Sequence, residues 1–255
     1  MPPARPSEPA PLYAPPPGYG YEPPLPPRFV KAKAPDDQTR TRAPELSLWL
    51  GARLGWDIPL GAAFRDANDS ARAESSILSA GPLVQLDAGV RVARKFVPFV
   101  FYAHTFAGEG SATTSPGATN RLGFPVEPST GYAATVTDAK SDLVGLGVRY
   151  LFSPDDWGAA VEISYAYRFT RATFSDGAAY KADAPGLLRL AAGVDVRTGR
   201  RFALTPMVVA TVGSYADVTV QRPGGSDRNV LGEAMTAGYV GGSLGGSFDL
   251  FSKWD

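Results

Sequence analysis

His104 is the only histidine among the 255 residues, and imidazole is the side chain that most often serves as a general base near neutral pH. A hydrolase of the Ser-His-acid type would need a serine and a carboxylate close to it in space. Glu109 and Ser111 follow His104 along the chain, but no characteristic spacing connects the three residues. The sequence therefore predicts no catalytic site, and a hydrolase that uses His104 is retained only as a third hypothesis.

Other kinds of reactive or binding site also find little support in the composition. The chain contains no cysteine, which excludes disulfides, thiolate catalysis and cysteine-based metal sites. The paired glycines at 224–225 and 241–242 lack the Lys-Ser/Thr partner of a phosphate-binding loop. Lys plus Arg and Asp plus Glu number 25 each, so no net field attracts nucleic acid. We predict no cofactor, no metal ion and no nucleic-acid partner.

Charged residues of both signs recur at alternate positions within the apolar stretches of the chain. Six are basic and six are acidic, which makes a matched set. Inside a narrow barrel these side chains would be buried, and buried charge is tolerated when it is paired and hydrogen-bonded. The pattern predicts an ion-pair network that plugs the barrel lumen, rather than an open pore. Its predicted members are Glu45, Arg53, Asp57, Asp87, Arg91, Arg149, Glu162, Arg168, Arg189, Asp195, Arg197 and Asp249.

The elements that must position these charges are long strands of alternating polarity. From Leu46 to Ile58 every even-numbered residue is apolar, and every odd-numbered residue except Trp49 is polar, charged or glycine. A side-chain period of two predicts a β-strand with one apolar face. A strand of this length extends about 40 Å, which is enough to cross a bilayer at a tilt. Eight strands are predicted, at residues 45–59, 79–93, 96–107, 141–152, 157–174, 186–197, 201–216 and 237–251.

The connections between the predicted strands alternate between long and tight. The long, polar ones are residues 61–78, 108–140, 175–185 and 221–236, and the tight ones are 94–95, 153–156 and 198–200. A transmembrane barrel sorts its connections in this way, with tight turns in the periplasm and long loops outside. The sequence contains no run of 18 apolar residues, which a transmembrane helix would require. Aromatic residues near strand ends suggest interfacial girdles, at Trp56, Phe96, Phe152, Trp157, Phe169, Phe248 and Trp254.

The first 44 residues differ in composition from the rest and hold 14 of the 24 prolines. This composition predicts a disordered, extended segment that acts as a spacer, while residues 45–255 form the barrel. The tyrosines at residues 17–21 leave a proline-recognition partner as the alternative role. The first ten residues lack the charged and apolar regions of a secretory signal. An exported barrel requires such a signal, which we expect to have been removed or to lie upstream of Met1.

Several short motifs complete the pattern. They are Arg-Lys-Phe-Val-Pro-Phe-Val-Phe at 94–101, Gly-Leu-Gly-Val-Arg-Tyr-Leu-Phe at 145–152, and a final-strand pattern formed by Ser243, Gly245, Phe248 and Leu250. With these motifs, the chain from residue 45 to about 254 resembles the small eight-stranded outer-membrane β-barrels, of the type found in the barrel domain of outer membrane protein A. The final-strand pattern resembles their barrel-assembly signal, although such chains usually end on an aromatic residue, whereas this one ends on Asp255.

The resemblance implies an all-β, eight-stranded, antiparallel, up-and-down transmembrane barrel in a bacterial outer membrane, with the N-terminal segment in the periplasm. It further implies a non-enzymatic protein with a structural or surface-interaction role. The implied partners are outer-membrane lipid and, during biogenesis, the barrel-assembly machinery. Loop 108–140 is the first surface to test for a further partner. The alternative is a soluble, lipocalin-like barrel that turns its apolar face inward to bind a small apolar ligand.

Overall fold

The computed structural model describes residues 42–60, 62–65, 71–73, 78–107, 136–175, 177–221, 228–229 and 236–253. Within these residues every regular element is a β-strand, and no helix is long and apolar enough to cross a bilayer. The strands are β1 (Leu46–Pro59), β2 (Ala62–Arg65), β3 (Ala71–Ala73), β4 (Gly81–Val92), β5 (Phe96–Ala107), β6 (Val136–Leu151), β7 (Trp157–Phe174), β8 (Ala179–Arg197), β9 (Phe202–Ser214), β10 (Asp217–Gln221), β11 (Arg228–Asn229) and β12 (Thr236–Lys253).

Eight of these strands close into a barrel. They are hydrogen-bonded in the order β1, β4, β5, β6, β7, β8, β9 and β12, and β12 pairs back with β1. Every pairing is antiparallel, and each one except the closing pair of β1 and β12 joins barrel strands that are consecutive in the chain, which is the predicted up-and-down topology. Closure pairs Leu54 with Leu244 and Trp56 with Gly242. A closed barrel satisfies the backbone groups that an open sheet edge would leave free.

The four short strands lie around the long connections. Strand β10 continues the line of β9 along β8, because Val212 pairs with Leu188 and Asp217 pairs with Asp183. It then pairs with β11, and β2 pairs with β3. The sequence predicted loops at 61–78 and 221–236, and the structure adds these short strand pairs to the eight-stranded barrel.

Side chains alternate on the barrel strands, with apolar residues outside and the buried charged residues inside. On β7, Val161, Ile163 and Tyr165 are exposed, whereas Glu162 and Ser164 are buried. A soluble barrel with an apolar ligand cavity would show the opposite arrangement, so the lipocalin-like alternative is wrong. We call the outward apolar residues the apolar belt. On β5 to β8 it consists of Phe96, Pro98, Val100, Tyr102, Val144, Leu146, Val148, Tyr150, Trp157, Ala159, Val161, Ile163, Tyr165, Tyr167, Phe169, Leu188, Leu190, Ala192, Val194 and Val196.

Inward glycines make room for inward aromatic rings. Gly145 and Gly147 lie directly opposite Phe101 and Phe99 on the neighbouring strand. A Cβ atom at Gly145 would lie 2.6 Å from the Phe101 ring, and one at Gly147 would lie 3.1 Å from the Phe99 ring. A narrow barrel therefore accommodates large inward side chains by placing small ones beside them.

The predicted strands have the correct length where the alternation of polarity persists to the end of the strand. They are too short where it does not. Strands β5 and β7 have their predicted bounds, but β6 begins at Val136 and β8 at Ala179, earlier than the predicted residues 141 and 186. Above the belt the outward positions of β6 and β8 carry Lys140 and Lys181, so the contrast between the faces is lost while backbone pairing continues. Residues 1–41, residues 108–135 and Trp254 lie outside the described residues.

Candidate functional site

The centre of the barrel interior is an ion-pair cluster around Arg53. This side chain donates from Nε to Asp87 at 2.7 Å and from both terminal nitrogens to Glu162 at 2.8 Å. Arg149 donates from Nε to the same Glu162 carboxylate at 2.6 Å, and its Nη1 lies 3.6 Å from Asp195. All five residues are buried. Charge-assisted bonds of this kind, two of them in a bidentate pair, are the strong class of hydrogen bond.

Uncharged side chains complete the central cluster. Met207 Sδ accepts hydrogen bonds at 3.4 Å from both Arg53 and Arg149. The Arg149 guanidinium carbon lies 5.0 Å from the centre of the Trp49 ring. Trp49 was the exception in the sequence alternation of β1, and it is an inward residue that packs edge-on against Phe99. Its place in the lumen beside an arginine explains why a large apolar side chain stands in the polar phase of the strand.

A second cluster lies toward the tight turns. Asp249 accepts hydrogen bonds from Arg91 Nε at 2.8 Å, from Arg197 Nη2 and from the Ser47 hydroxyl at 2.6 Å. The Arg91 and Arg197 side chains also donate to the backbone carbonyls of residues 94 and 200, each at 3.0 Å. The cluster therefore ties the first and third tight turns to the last strand across the lumen.

A third group lies on the other side of the centre, toward the long loops. Arg168 donates from Nη2 to Asp57 at 2.9 Å and from Nη1 to Ser141 at 3.3 Å, and its guanidinium carbon lies 3.4 Å from the centre of the Tyr239 ring. Beyond it, buried apolar side chains occupy the interior of the barrel. They include Leu78, Val136, Ala139, Ala172, Tyr180, Ala182, Val218 and Ala237.

Arg189 differs from the other inward arginines because it makes no salt bridge with the described residues. Its Nη2 donates to Gln85 Oε1 at 2.7 Å, and its guanidinium carbon lies 5.0 Å from the centre of the Phe101 ring. Its Nη1 is buried without a hydrogen-bond partner in the described part of the chain. Gln85 in turn donates to Asp87, which links Arg189 to the central cluster through an amide.

The structure brings eleven of the twelve predicted lumen residues into the interior and leaves one outside. Glu45, the residue before β1, is partly exposed, and its Oε1 lies 3.1 Å from Arg94 Nε. It therefore belongs to a salt bridge near the first tight turn rather than to the interior clusters. The physical reason is its position at the end of the barrel. Odd-numbered residues within β1 face the lumen, but Glu45 precedes the strand and lies outside the enclosed interior.

Several members of the network are uncharged and are not predicted from the sequence. Gln85 lies on the inward face of β4, but it carries no charge and so does not belong to the pattern of inward charges. Thr205 donates to Asp195 at 2.7 Å from β9, a strand whose phase the sequence leaves open. The signal that would have found Gln85 was its place between outward Val84 and Leu86.

His104 faces outward, not into the lumen. Its Nδ1 lies 2.7 Å from Asp142 Oδ1, and the Tyr102 hydroxyl donates to the same oxygen at 2.6 Å. In the described residues no hydroxyl or amine hydrogen-bonds to His104 Nε2. Glu109 and Ser111 lie outside the described residues. Within the described ranges, no three His, Asp or Glu side chains form a group that could hold a metal ion.

Comparison with known proteins gives matches in structure only. No protein-family model matches the chain, and no curated protein matches its sequence. Among solved structures, the outer membrane protein OprG from Pseudomonas aeruginosa matches with a TM-score of 0.50 at 10% identity, over 82% of this chain and 98% of that chain. This chain has the fold of the small outer-membrane β-barrels.

Two further outer-membrane barrels match less closely. Neisserial surface protein A has a TM-score of 0.48 at 12% identity, over 80% of this chain and 99% of that chain. The outer membrane protease OmpT from Escherichia coli has a TM-score of 0.40 at 7% identity, over 80% of this chain and 95% of that chain. A fold alone does not determine whether a chain is an enzyme.

Proposed function

We propose that this chain is a non-enzymatic protein of a Gram-negative outer membrane, with a structural or surface-interaction role. The observation that carries the proposal is the distribution of polarity across the barrel wall. Ile163, Leu146 and Val208 are 55%, 62% and 67% exposed on the outside, while charged pairs are buried inside. A continuous apolar surface of this kind is favourable against hydrocarbon and unfavourable against water.

The proposal includes a lumen that is plugged by its own side chains. From the tight turns toward the long loops, the interior contains the clusters of Arg91, Arg53 and Arg168 in that order. Each of these arginines is paired with a buried carboxylate. Eight strands enclose a space that side chains can fill. We expect the folded chain to give little or no stable ion current in planar bilayers. A steady, large conductance from protein that migrates as a folded barrel on a gel would contradict the plugged lumen.

The orientation follows from the lengths of the connections. Because tight turns face the periplasm in outer-membrane barrels, we expect the first and last barrel strands to begin and end on the periplasmic side, and the N-terminal segment to lie in the periplasm. Outer-membrane lipid, the barrel-assembly machinery and a surface partner of loop 108–140 are the proposed partners. An epitope inserted within residues 112–130 should be labelled on intact cells, and one inserted at Gly199 should be labelled only after permeabilisation. The reverse result would contradict the orientation.

With the lipocalin-like alternative set aside, a hydrolase is the second candidate because of one observation, the 2.7 Å contact between His104 and Asp142. If the pair were catalytic, His104→Ala would abolish ester or peptide hydrolysis by the detergent-folded protein. The non-enzymatic proposal predicts no hydrolysis above background and no covalent labelling by a fluorophosphonate probe. Labelling that is lost in His104→Ala would establish the second candidate.

A further inference from the structure

The buried charges of the barrel interior do not balance. Among the described residues six arginines lie in the interior but only five carboxylates, because Glu45 lies outside the lumen. The arginines are Arg53, Arg91, Arg149, Arg168, Arg189 and Arg197, and the carboxylates are Asp57, Asp87, Glu162, Asp195 and Asp249. Arginine stays protonated in proteins, so the described part of the interior carries one excess positive charge.

The excess charge belongs to Arg189. Each of the other inward arginines forms a salt bridge with a buried carboxylate, and Arg189 forms none with the described residues. Glu162, Asp87 and Asp57 attract it from beyond hydrogen-bond distance, and Arg53 repels it. Each of these three carboxylates is hydrogen-bonded to another arginine, so its charge is already shared.

The side chains that touch the Arg189 guanidinium do not neutralise it. Gln85 Oε1 accepts from Arg189 Nη2 at 2.7 Å, while Gln85 Nε2 donates to Asp87 Oδ1 at 2.5 Å. A glutamate in place of Gln85 could not donate to Asp87 and would set two carboxylates against each other. The Phe101 ring, 5.0 Å away, attracts the cation through its face but has no net charge. The amide and the ring therefore hold Arg189 in place and leave its charge unpaired.

The hydrogen bonds of the interior show a matching shortage of acceptors. In the described part of the chain, several N–H groups on inward side chains are buried without a partner. They are Arg91 Nη2, Arg168 Nε, Arg189 Nη1, Arg197 Nε and Trp49 Nε1, and the hydroxyl of Ser243 is also without a partner. The nitrogens are all donors, so each lacks an acceptor. A water molecule can supply an acceptor, but only an anion supplies an acceptor together with the negative charge that the interior lacks.

The surroundings of Arg189 limit the size of such an anion. Ser164 on β7 and Thr211 on β9 pair directly with Arg189, and both are buried. Their hydroxyls are short and can donate hydrogen bonds. An eight-stranded barrel encloses only enough space for its side chains and a small guest. A monovalent anion of one atom meets both the spatial limit and the single excess charge.

We propose that the lumen holds one small monovalent anion, such as chloride, at Nη1 of Arg189. This inference rests on the proposed plugged lumen, because water in an open channel would hydrate the guanidinium. In a dry interior an unpaired charge is strongly unfavourable. The anion therefore stabilises the folded barrel, and the stability of the protein depends on the anion concentration.

The test measures the stability of the full-length barrel in lipid vesicles as a function of chloride. Urea unfolding is recorded over a range of sodium chloride concentrations, and sodium gluconate, whose anion is much larger, keeps the ionic strength constant. If the folded state binds one chloride and the unfolded state binds none, the equilibrium constant for unfolding falls about tenfold for each tenfold rise in chloride above the Kd. Arg189→Gln should abolish this dependence, because it removes the excess charge and retains a polar side chain.

Arg197→Gln is the matched control, because it also removes an inward arginine while Asp249 keeps Arg91 as a partner. It should retain the chloride dependence of the wild type. Stability of the wild type that is independent of chloride would overturn the proposal. A dependence that persists in Arg189→Gln, or that is lost equally in both variants, would show that the effect does not arise at Arg189 and would also overturn it.

A crystal of the wild type grown in sodium bromide gives a readout that does not depend on the folding of any variant. We expect an anomalous peak within hydrogen-bond distance of Arg189 Nη1, and the absence of a peak there would contradict the anion site. Ion current in planar bilayers separates the two proposals. Steady conduction contradicts the plugged lumen, whereas a barrel that does not conduct and shows no chloride dependence contradicts the anion site alone.

Discussion

Replacement of Arg53 by alanine tests whether the interior ion pairs are dry. The change removes three hydrogen bonds to carboxylates, one to Asp87 and two to Glu162. Breaking a buried ion pair typically costs about 3–5 kcal/mol, because the remaining charge is left unpaired. Here Asp87 keeps Gln85 and Glu162 keeps Arg149 as partners. We therefore expect the lower end of that range, about 3 kcal/mol.

The assay is reversible urea unfolding in lipid vesicles, followed by tryptophan fluorescence. Arg201→Ala is the matched control, because it removes the same side chain from an exposed position and should change the free energy of unfolding by less than about 0.5 kcal/mol. In the double variant Arg53→Ala/Glu162→Ala, the cost should fall short of the sum of the single costs by about 1–3 kcal/mol. An Arg53→Ala cost equal to that of the control would refute the dry interior and indicate a water-filled lumen.

Three other predictions follow from the same structure. The chain should fractionate with membranes and require detergent to remain monodisperse, and a fully folded monomer in plain buffer would contradict the belt. Deletion of residues 1–41 should leave the β-sheet circular dichroism unchanged, whereas a deletion that includes Ala43 and Pro44, which are buried, should lower stability. Arg168→Ala should lower the free energy of unfolding in urea more than Arg149→Ala does. Arg168 is the described salt-bridge partner of Asp57, whereas Glu162 keeps Arg53 as a partner when Arg149 is removed. The opposite order would show that Asp57 is solvated.

The architecture of the barrel was accessible from the sequence because it depends on local regularities. The alternation on β7 assigns Ile163 to one face and Glu162 to the other without knowledge of any other strand. The alternating lengths of the connections then predict the topology and the side of each loop. The same regularity fails above the belt, where Lys140 and Lys181 replace apolar outward residues, and the predicted strands therefore begin too late in the chain.

The pairing inside the lumen was not accessible in the same way. Arg53 and Glu162 are 109 residues apart in the chain, and Arg91 and Asp249 are 158 residues apart. Their contact depends on the stagger of all eight strands, which determines which inward positions share a level. Alternation predicts the face on which a residue lies but not its position along the barrel axis. The set of lumen charges was therefore predicted, but the individual ion-pair partners were not.

The measurement that tests the central claim most directly is a scan of arginine along the outward face of β7. Arginine is placed in turn at residues 157, 159, 161, 163, 165 and 167, and urea unfolding in vesicles gives the cost at each position. Ile163 is 55% exposed near the middle of the belt, and Trp157 is 70% exposed near the end of the barrel that carries the tight turns. Ile163→Leu serves as the uncharged control at the central position.

If the apolar belt faces hydrocarbon, Ile163→Arg should cost about 2–4 kcal/mol, and the charge at residue 157 should cost about 0–1 kcal/mol. The cost should rise toward the centre of the strand and fall toward both ends. A cost that is uniform along the strand, or one that persists at the same size for protein folded in buffer without lipid, would contradict the assignment of this face to the membrane.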